Sequence, residues 1–179
     1  MPSATAQRPG DIVKAMNGTS IEIINTDAEG RLIMADAICY ANTFYKPKVI
    51  VDVATLTGAA LVALGDVATG VFSNSSSQES SFKNAAKRVG ECVWSLPMFD
   101  EFRAYMDSDV ADIKNANENR LAGASTAAIF LKEFVKKTPW IHLDIAPTMS
   151  SSKTKGAKIK GMHAPCVNAL VEYINNIKA

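Results

Sequence analysis

Between Thr19 and Ala54 the sequence changes period twice, and this restricts the fold more than any other stretch. Thr19 to Ile24 is short, alternating and rich in isoleucine, as a strand is. From Leu32 to Asn42 the apolar residues Leu32, Ala35 and Cys39, with Ile33, Ala37 and Tyr40, recur at helical spacing. Lys46-Pro47 stops that pattern. Val49 to Ala54 is then a β-branched run broken only by Asp52, which predicts a mostly buried strand. Strand, helix and strand over about 35 residues have the length of a βαβ unit, which predicts parallel strands and a right-handed crossover.

The alternation continues on both sides. Ile12 to Ala15 reads as a strand joined to the one after it by the Asn17-Gly18 turn. Thr69 to Ser73 is a further strand, and Ser76-Ser77-Gln78-Glu79 resembles a capping box opening a helix to about Val89. Phe99 to Met106 predicts a short helix and Gly123 to Lys136 a long one, with Pro139 beyond its end. Trp140 to Ala146 is a strand, Ser150 to Lys160 an exposed loop and Ala164 to Ile177 a closing helix. This order argues an α/β fold, a largely parallel or mixed sheet sandwiched by helices. No internal repeat or linker is visible.

At 179 residues the chain has the size of one domain, and a 47% hydrophobic share with 21% charged residues is that of a soluble globular protein. The formal net charge of +1 provides no field that would recruit nucleic acid or an anionic membrane. Cys39, Cys92 and Cys166 are odd in number and widely spaced, which argues against a disulfide framework or zinc ribbon and for a reducing, cytoplasmic compartment. The opening residues carry no signal-peptide pattern, and the longest uncharged apolar stretch, Val53 to Leu64, falls short of the roughly 20 residues a bilayer needs.

In α/β sheets ligands bind beyond the carboxyl ends of the strands. The loops after Ile24, Val53 and Ile145 are therefore the informative ones, and with parallel strands all three meet at one edge. The first holds Asp27, Glu29 and Arg31, two residues apart, which in extended chain would face the same way. Two clustered carboxylates suit a divalent cation and a guanidinium suits an oxyanion. The same residues also suit a plain helix N-terminus, capped by Asn25 or Thr26. Thr55-Leu56-Thr57-Gly58 in the second loop lacks any phosphate-loop pattern and reads equally as a tight strand-to-helix turn. Asp52 and Asp144 lie in apolar strands and need partners if buried, and His142 between apolar neighbours reads as a satisfied core histidine, or one supporting a site from behind, rather than a ligand. Lys153, Lys155, Lys158 and Lys160 form a solvated basic loop.

Asn25-Thr26-Asp27-Ala28-Glu29-Gly30-Arg31-Leu32 matches, over eight contiguous residues, the signature of the leucyl (cytosol) aminopeptidases. The resemblance continues through Ala35-Asp36-Ala37, Ala54-Thr55-Leu56-Thr57-Gly58-Ala59, Ala68 to Phe72, Ala122-Gly123-Ala124, Phe130 to Phe134 and Trp140 to Ala146, and so covers essentially the whole chain. It implies an aminopeptidase-like α/β fold and a two-metal exopeptidase that releases leucine-like N-terminal residues from peptides. It implies Asp27 and Glu29 as ligands of two divalent ions, which are zinc, manganese or magnesium. Arg31 would hold a bicarbonate-like anion that assists proton transfer. Thr55, Leu56 and Gly58 would line the substrate site, with Ala146 and Met149 in the pocket for the N-terminal side chain. It further implies a cytoplasmic homo-hexamer, with no nucleic-acid or membrane partner.

The family carries further ligands in a Gly-Lys-Gly segment, a Phe-Asp-Ser-Gly-Gly motif and another aspartate, none of which occurs here. The resemblance therefore implies the C-terminal part of the catalytic domain, without its N-terminal domain or first part, and a chain inactive on its own. A truncated, non-catalytic paralogue serving as a structural or regulatory subunit is the alternative. Where the family has Thr-Gly-x-Pro and a basic residue, this chain has His163-Ala164-Pro165-Cys166, and Pro147-Thr148 also departs from the usual small residues.

Overall fold

The computed structural model describes residues 3–154, 156 and 159–177. Met1, Pro2 and two lysines of the basic loop, Lys155 and Lys158, lie outside the described residues. The fold is mixed α/β, with open sheets and helices. It divides into two compact units, Met1–Ile50 with Met98–Thr138, and Val51–Pro97 with Pro139–Ala179.

In the first unit, β1 (Ile12–Lys14) and β2 (Ser20–Glu22) form an antiparallel hairpin, with Val13 opposite Ile21. The Asn17-Gly18 turn works as expected, since Gly18 takes φ +89° and the Asn17 side chain accepts the Thr19 N–H at 3.1 Å. On its other side β2 pairs in parallel with β6 (Ile113–Lys114), giving the order β1-β2-β6. Helix α1 (Gly30–Phe44) buries Arg31, Ala35, Ile38 and Cys39, one stripe of its surface, and packs on α4 (Gly123–Val135). The two are tied at one end, where the Asn42 amide donates to the Val135 carbonyl at 3.1 Å and accepts the Thr138 hydroxyl at 2.7 Å. Most residues of α4 are buried, as its alanine- and phenylalanine-rich sequence requires. A 3-10 helix (Asp100–Met106) packs against α4.

The second unit holds the larger sheet, in the order β3-β7-β4-β5, formed by β3 (Ile50–Ala54), β4 (Thr69–Ser73), β5 (Val93–Ser95) and β7 (Trp140–Asp144). β4 runs antiparallel to β7, with Gly70 opposite Asp144, and parallel to β5, so the sheet is mixed. All five residues of β7 are buried, whereas β3, at the edge, is half-buried with Val53 40% exposed, less buried than its apolar run predicts. Helices α2 (Gly58–Leu64), α3 (Ser76–Val89) and α5 (Val167–Asn176) complete the unit. α3 and α5 pack together and seal a core of Val71, Phe82, Ala85, Ala86, Ile141, Leu143, Cys166, Ala169 and Tyr173. Two-residue strands β8 (Ser150–Ser151), at the start of the expected loop, and β9 (Gly161–Met162), just after it, pair antiparallel.

Three expectations need correction. β2 and β3 do not share a sheet, so the strand–helix–strand segment is not a βαβ unit of one sheet, and the loop after Ile24 leaves a different sheet from the loops after β3 and β7. Periodicity identified the strands, but their partners, Ile113 for Ile21 and β7 for β3, come from distant sequence. The cap of α3 is Ser75, whose hydroxyl accepts the Gln78 N–H at 3.5 Å, and Glu79 turns instead to the Ser95 hydroxyl at 2.5 Å. α5 starts at Val167, three residues late, because Cys166 takes a left-handed φ of +65° ahead of it.

Candidate functional site

The signature segment is a tight turn running into a helix. The Ala28 N–H donates to the Asn25 carbonyl at 3.1 Å and the Asp27 N–H to the Asn25 side chain at 2.9 Å. Glu29 is the N-cap of α1 with helical backbone (φ −76°, ψ −35°), and Arg31 lies in the first helical turn. The chain is therefore not extended here, and the alternation that would put Asp27, Glu29 and Arg31 on one face does not operate. Asp27 and Glu29 are exposed, and the Glu29 side chain makes no capping hydrogen bond, so helix initiation does not consume its carboxylate. Arg31 is buried, 8% exposed, and its Nη1 donates to the Asn115 carbonyl at 2.8 Å.

Asn115, which sequence reading passed over, sits under this turn. It is wholly buried and immediately follows β6, where its N–H reaches the Glu22 carbonyl at 2.9 Å. Its side-chain oxygen accepts the N–H groups of Ile24 (2.8 Å) and Asn25 (3.2 Å). Its amide nitrogen donates to the carbonyls of Asn25 (2.8 Å) and Ala28 (3.4 Å).

Asp27 and Glu29 are hard oxygen donors of the kind that hold zinc, manganese or magnesium. Among the described residues, however, no group of three or more His, Cys, Asp or Glu side chains is placed to hold a metal ion. Two carboxylates do not fit a binuclear centre by themselves, since each ion needs four to six donors.

In the second unit the loops after β3 and β7 come together, and the carboxyl ends of the two strands are joined by the Ile145 N–H on the Ala54 carbonyl at 2.9 Å. Asp144, wholly buried, fastens both loops. Its Oδ1 accepts the N–H groups of Leu56 (3.1 Å) and Ala146 (3.2 Å), and its Oδ2 accepts the Thr57 hydroxyl at 2.7 Å. The Thr57 hydroxyl oxygen in turn accepts the Ala60 N–H at 3.0 Å, capping α2, so this stretch is the strand-to-helix turn that its sequence suggested. Thr55 and Gly58 are exposed, while Leu56, Ala146 and Met149 are half-buried. Thr148, in the loop after β7, shares a hydroxyl hydrogen bond with Thr69 at 2.7 Å. The other carboxyl of the strands, half-buried Asp52, accepts from the Trp140 indole and pairs with His142 Nδ1. His142 also stacks on Trp140 and Phe72, but its Nε2 is buried without a hydrogen-bond partner among the described residues, so this histidine is in the core yet not fully satisfied there, contrary to expectation.

A family model described as "Cytosol aminopeptidase family, catalytic domain" matches residues 1–171. The chain is 50% identical over 175 residues to proteins named "Cytosol aminopeptidase" from Rattus norvegicus and Homo sapiens, covering 97% of this chain and 34% of each relative. It is 50% identical over 179 residues to a "Probable cytosol aminopeptidase" of Solibacter usitatus, covering 37% of that protein. Among solved structures, "Tomato leucine aminopeptidase mutant - K354E" superposes with a TM-score of 0.90 at 42% identity, over 97% of this chain and 33% of that one. The chain thus spans about a third of the length of the relatives it matches.

Proposed function

Because the chain belongs to the cytosol aminopeptidase family, within its catalytic domain, we propose that it supplies part of the machinery of a metal-dependent aminopeptidase releasing leucine-like N-terminal residues from peptides. The observation that carries this reading is the carboxylate turn. The eight-residue signature is intact, and it presents Asp27 and Glu29 to solvent with neither carboxylate committed to capping α1. In this reading Asp27 and Glu29 are metal ligands and Arg31 holds a bicarbonate-sized anion. Thr55, Leu56 and Gly58 contact the substrate backbone, while Ala146 and Met149 face the N-terminal side chain. Asp144 supports the last part, since it ties the two loops together through main-chain N–H groups.

The reading makes the chain the C-terminal part of the catalytic domain of a cytoplasmic homo-hexamer, with no nucleic-acid or membrane partner. No helix among the described residues is long and apolar enough to cross a membrane. The ligand set here is partial, so the isolated chain is expected to be inactive, and the same observation favours the second reading, a non-catalytic subunit. A chimaera separates the two. In a full-length cytosol aminopeptidase relative, the segment matching residues 1–171 is replaced by this chain's. The first reading predicts metal-dependent leucine p-nitroanilide hydrolysis within about tenfold of the parent, lost by about 100-fold or more in Asp27→Asn or Glu29→Gln. An inactive but folded and assembled chimaera supports the second.

A further inference from the structure

We propose that Asn115 is the positioning residue of the carboxylate turn, holding the turn of Asp27 and the helix start of Arg31 in one arrangement. This rests on the reading of Asp27, Glu29 and Arg31 given above. The chain leaves the β2 ladder after Glu22, and the N–H groups of Ile24 and Asn25 then need an acceptor, which the Asn115 side-chain oxygen provides. The carbonyls of Asn25 and Ala28, at the two ends of the turn, need donors, which its amide nitrogen provides. Its own carbonyl takes the Arg31 guanidinium. All these partners lie between residues 24 and 31, about 90 positions away in sequence. A buried side chain this size that both accepts two and donates two hydrogen bonds is an asparagine. Aspartate lacks the donors, leucine lacks both, serine halves them, and glutamine is a methylene too long for a site with no exposed surface. The residue sits at the carboxyl end of the parallel β2–β6 pair, where α/β folds place their ligands.

The test is amide hydrogen exchange on the full 179-residue chain, wild type against Asn115→Asp, at pH 7.5 and pH 5. At pH 7.5 the aspartate sets an acceptor oxygen, where the amide nitrogen donated, against the Asn25 and Ala28 carbonyls, and protection at Ile24, Asn25 and Ala28 should fall by about tenfold or more, with α3 unchanged. At pH 5 the buried carboxyl takes up a proton, because burial disfavours its charged form, and one O–H donor returns. Protection at the turn should then recover severalfold. A folded variant with wild-type protection at pH 7.5, or a loss that does not recover at pH 5, overturns the proposal. If Asn115→Asp does not fold, Asn115→Ser should lose protection at these three amides alone, and unchanged protection there overturns it equally. The chimaera described above tests the reading beneath it: a loss of about 100-fold or more in its Asp27→Asn or Glu29→Gln variant supports the ligand assignment. Its absence overturns that assignment, while the exchange data still decide the role of Asn115.

Discussion

Asp144 lies inside a strand whose five residues are all buried, among apolar neighbours that offer its carboxyl nothing. What makes it tolerable is three donors from two loops, two main-chain N–H groups and the Thr57 hydroxyl. Asp144→Asn puts an NH₂ where one oxygen accepted, setting donor against donor on one side. The expected cost is about 1–3 kcal/mol, read as a lower urea midpoint at unchanged slope. Thr57→Ala removes the cap of α2 and one donor to Asp144, for about 1–2 kcal/mol. The double variant should cost less than the sum, since both act on one hydrogen bond, and strict additivity would show that Thr57 and Asp144 are not coupled. A charge in an apolar strand showed in the sequence that Asp144 needs partners. Which partners could not be read, because Leu56 and Thr57 are 88 and 87 positions away. Asn115 left no sign at all, as one polar residue in a polar stretch whose importance arises only once β6 pairs with β2.

At the level of elements, the junction of α5 with β4 makes a prediction about pH. Cys166 immediately precedes α5 and is 1% exposed, and its thiol donates weakly to the Thr69 hydroxyl at 3.6 Å. Burial pushes this thiol from its ordinary 9.0 up to about 11. The folded state therefore keeps a proton that the unfolded chain releases between those values. Stability is full below pH 9 and falls as pH rises from 9 to about 11, by roughly 2–3 kcal/mol. Tyr173, on the same helix and also raised by burial, adds a loss of the same sign. Urea midpoints at pH 8 and 10.5 should show the fall, and Cys166→Ala should flatten it. An equal fall in that variant would assign the effect elsewhere. Elements of five or more residues were largely legible from period and punctuation: β4 at Thr69–Ser73 and the end of α3 at Val89 stand where the sequence put them. β5, β6, β8 and β9, of two or three residues, are too short to show a period and exist because a neighbouring strand pairs with them.

For the whole molecule, two units are each built from segments distant in sequence, Met1–Ile50 with Met98–Thr138 and Val51–Pro97 with Pro139–Ala179. That division could not be read from the sequence, in which no linker is visible, and it explains why the strand–helix–strand order did not make one sheet. The family was legible in eight contiguous residues, whereas the geometry of those residues, a turn and a helix start, was not. The chain matches about a third of its relatives' length and brings two of the proposed metal ligands. The most direct measurement is leucine p-nitroanilide hydrolysis by the purified 179-residue chain with Mn²⁺ or Zn²⁺ added. The expected result is no turnover above the metal-only blank. Metal-dependent turnover that disappears in Asp27→Asn would contradict it, showing that these residues complete a working site without further ligands.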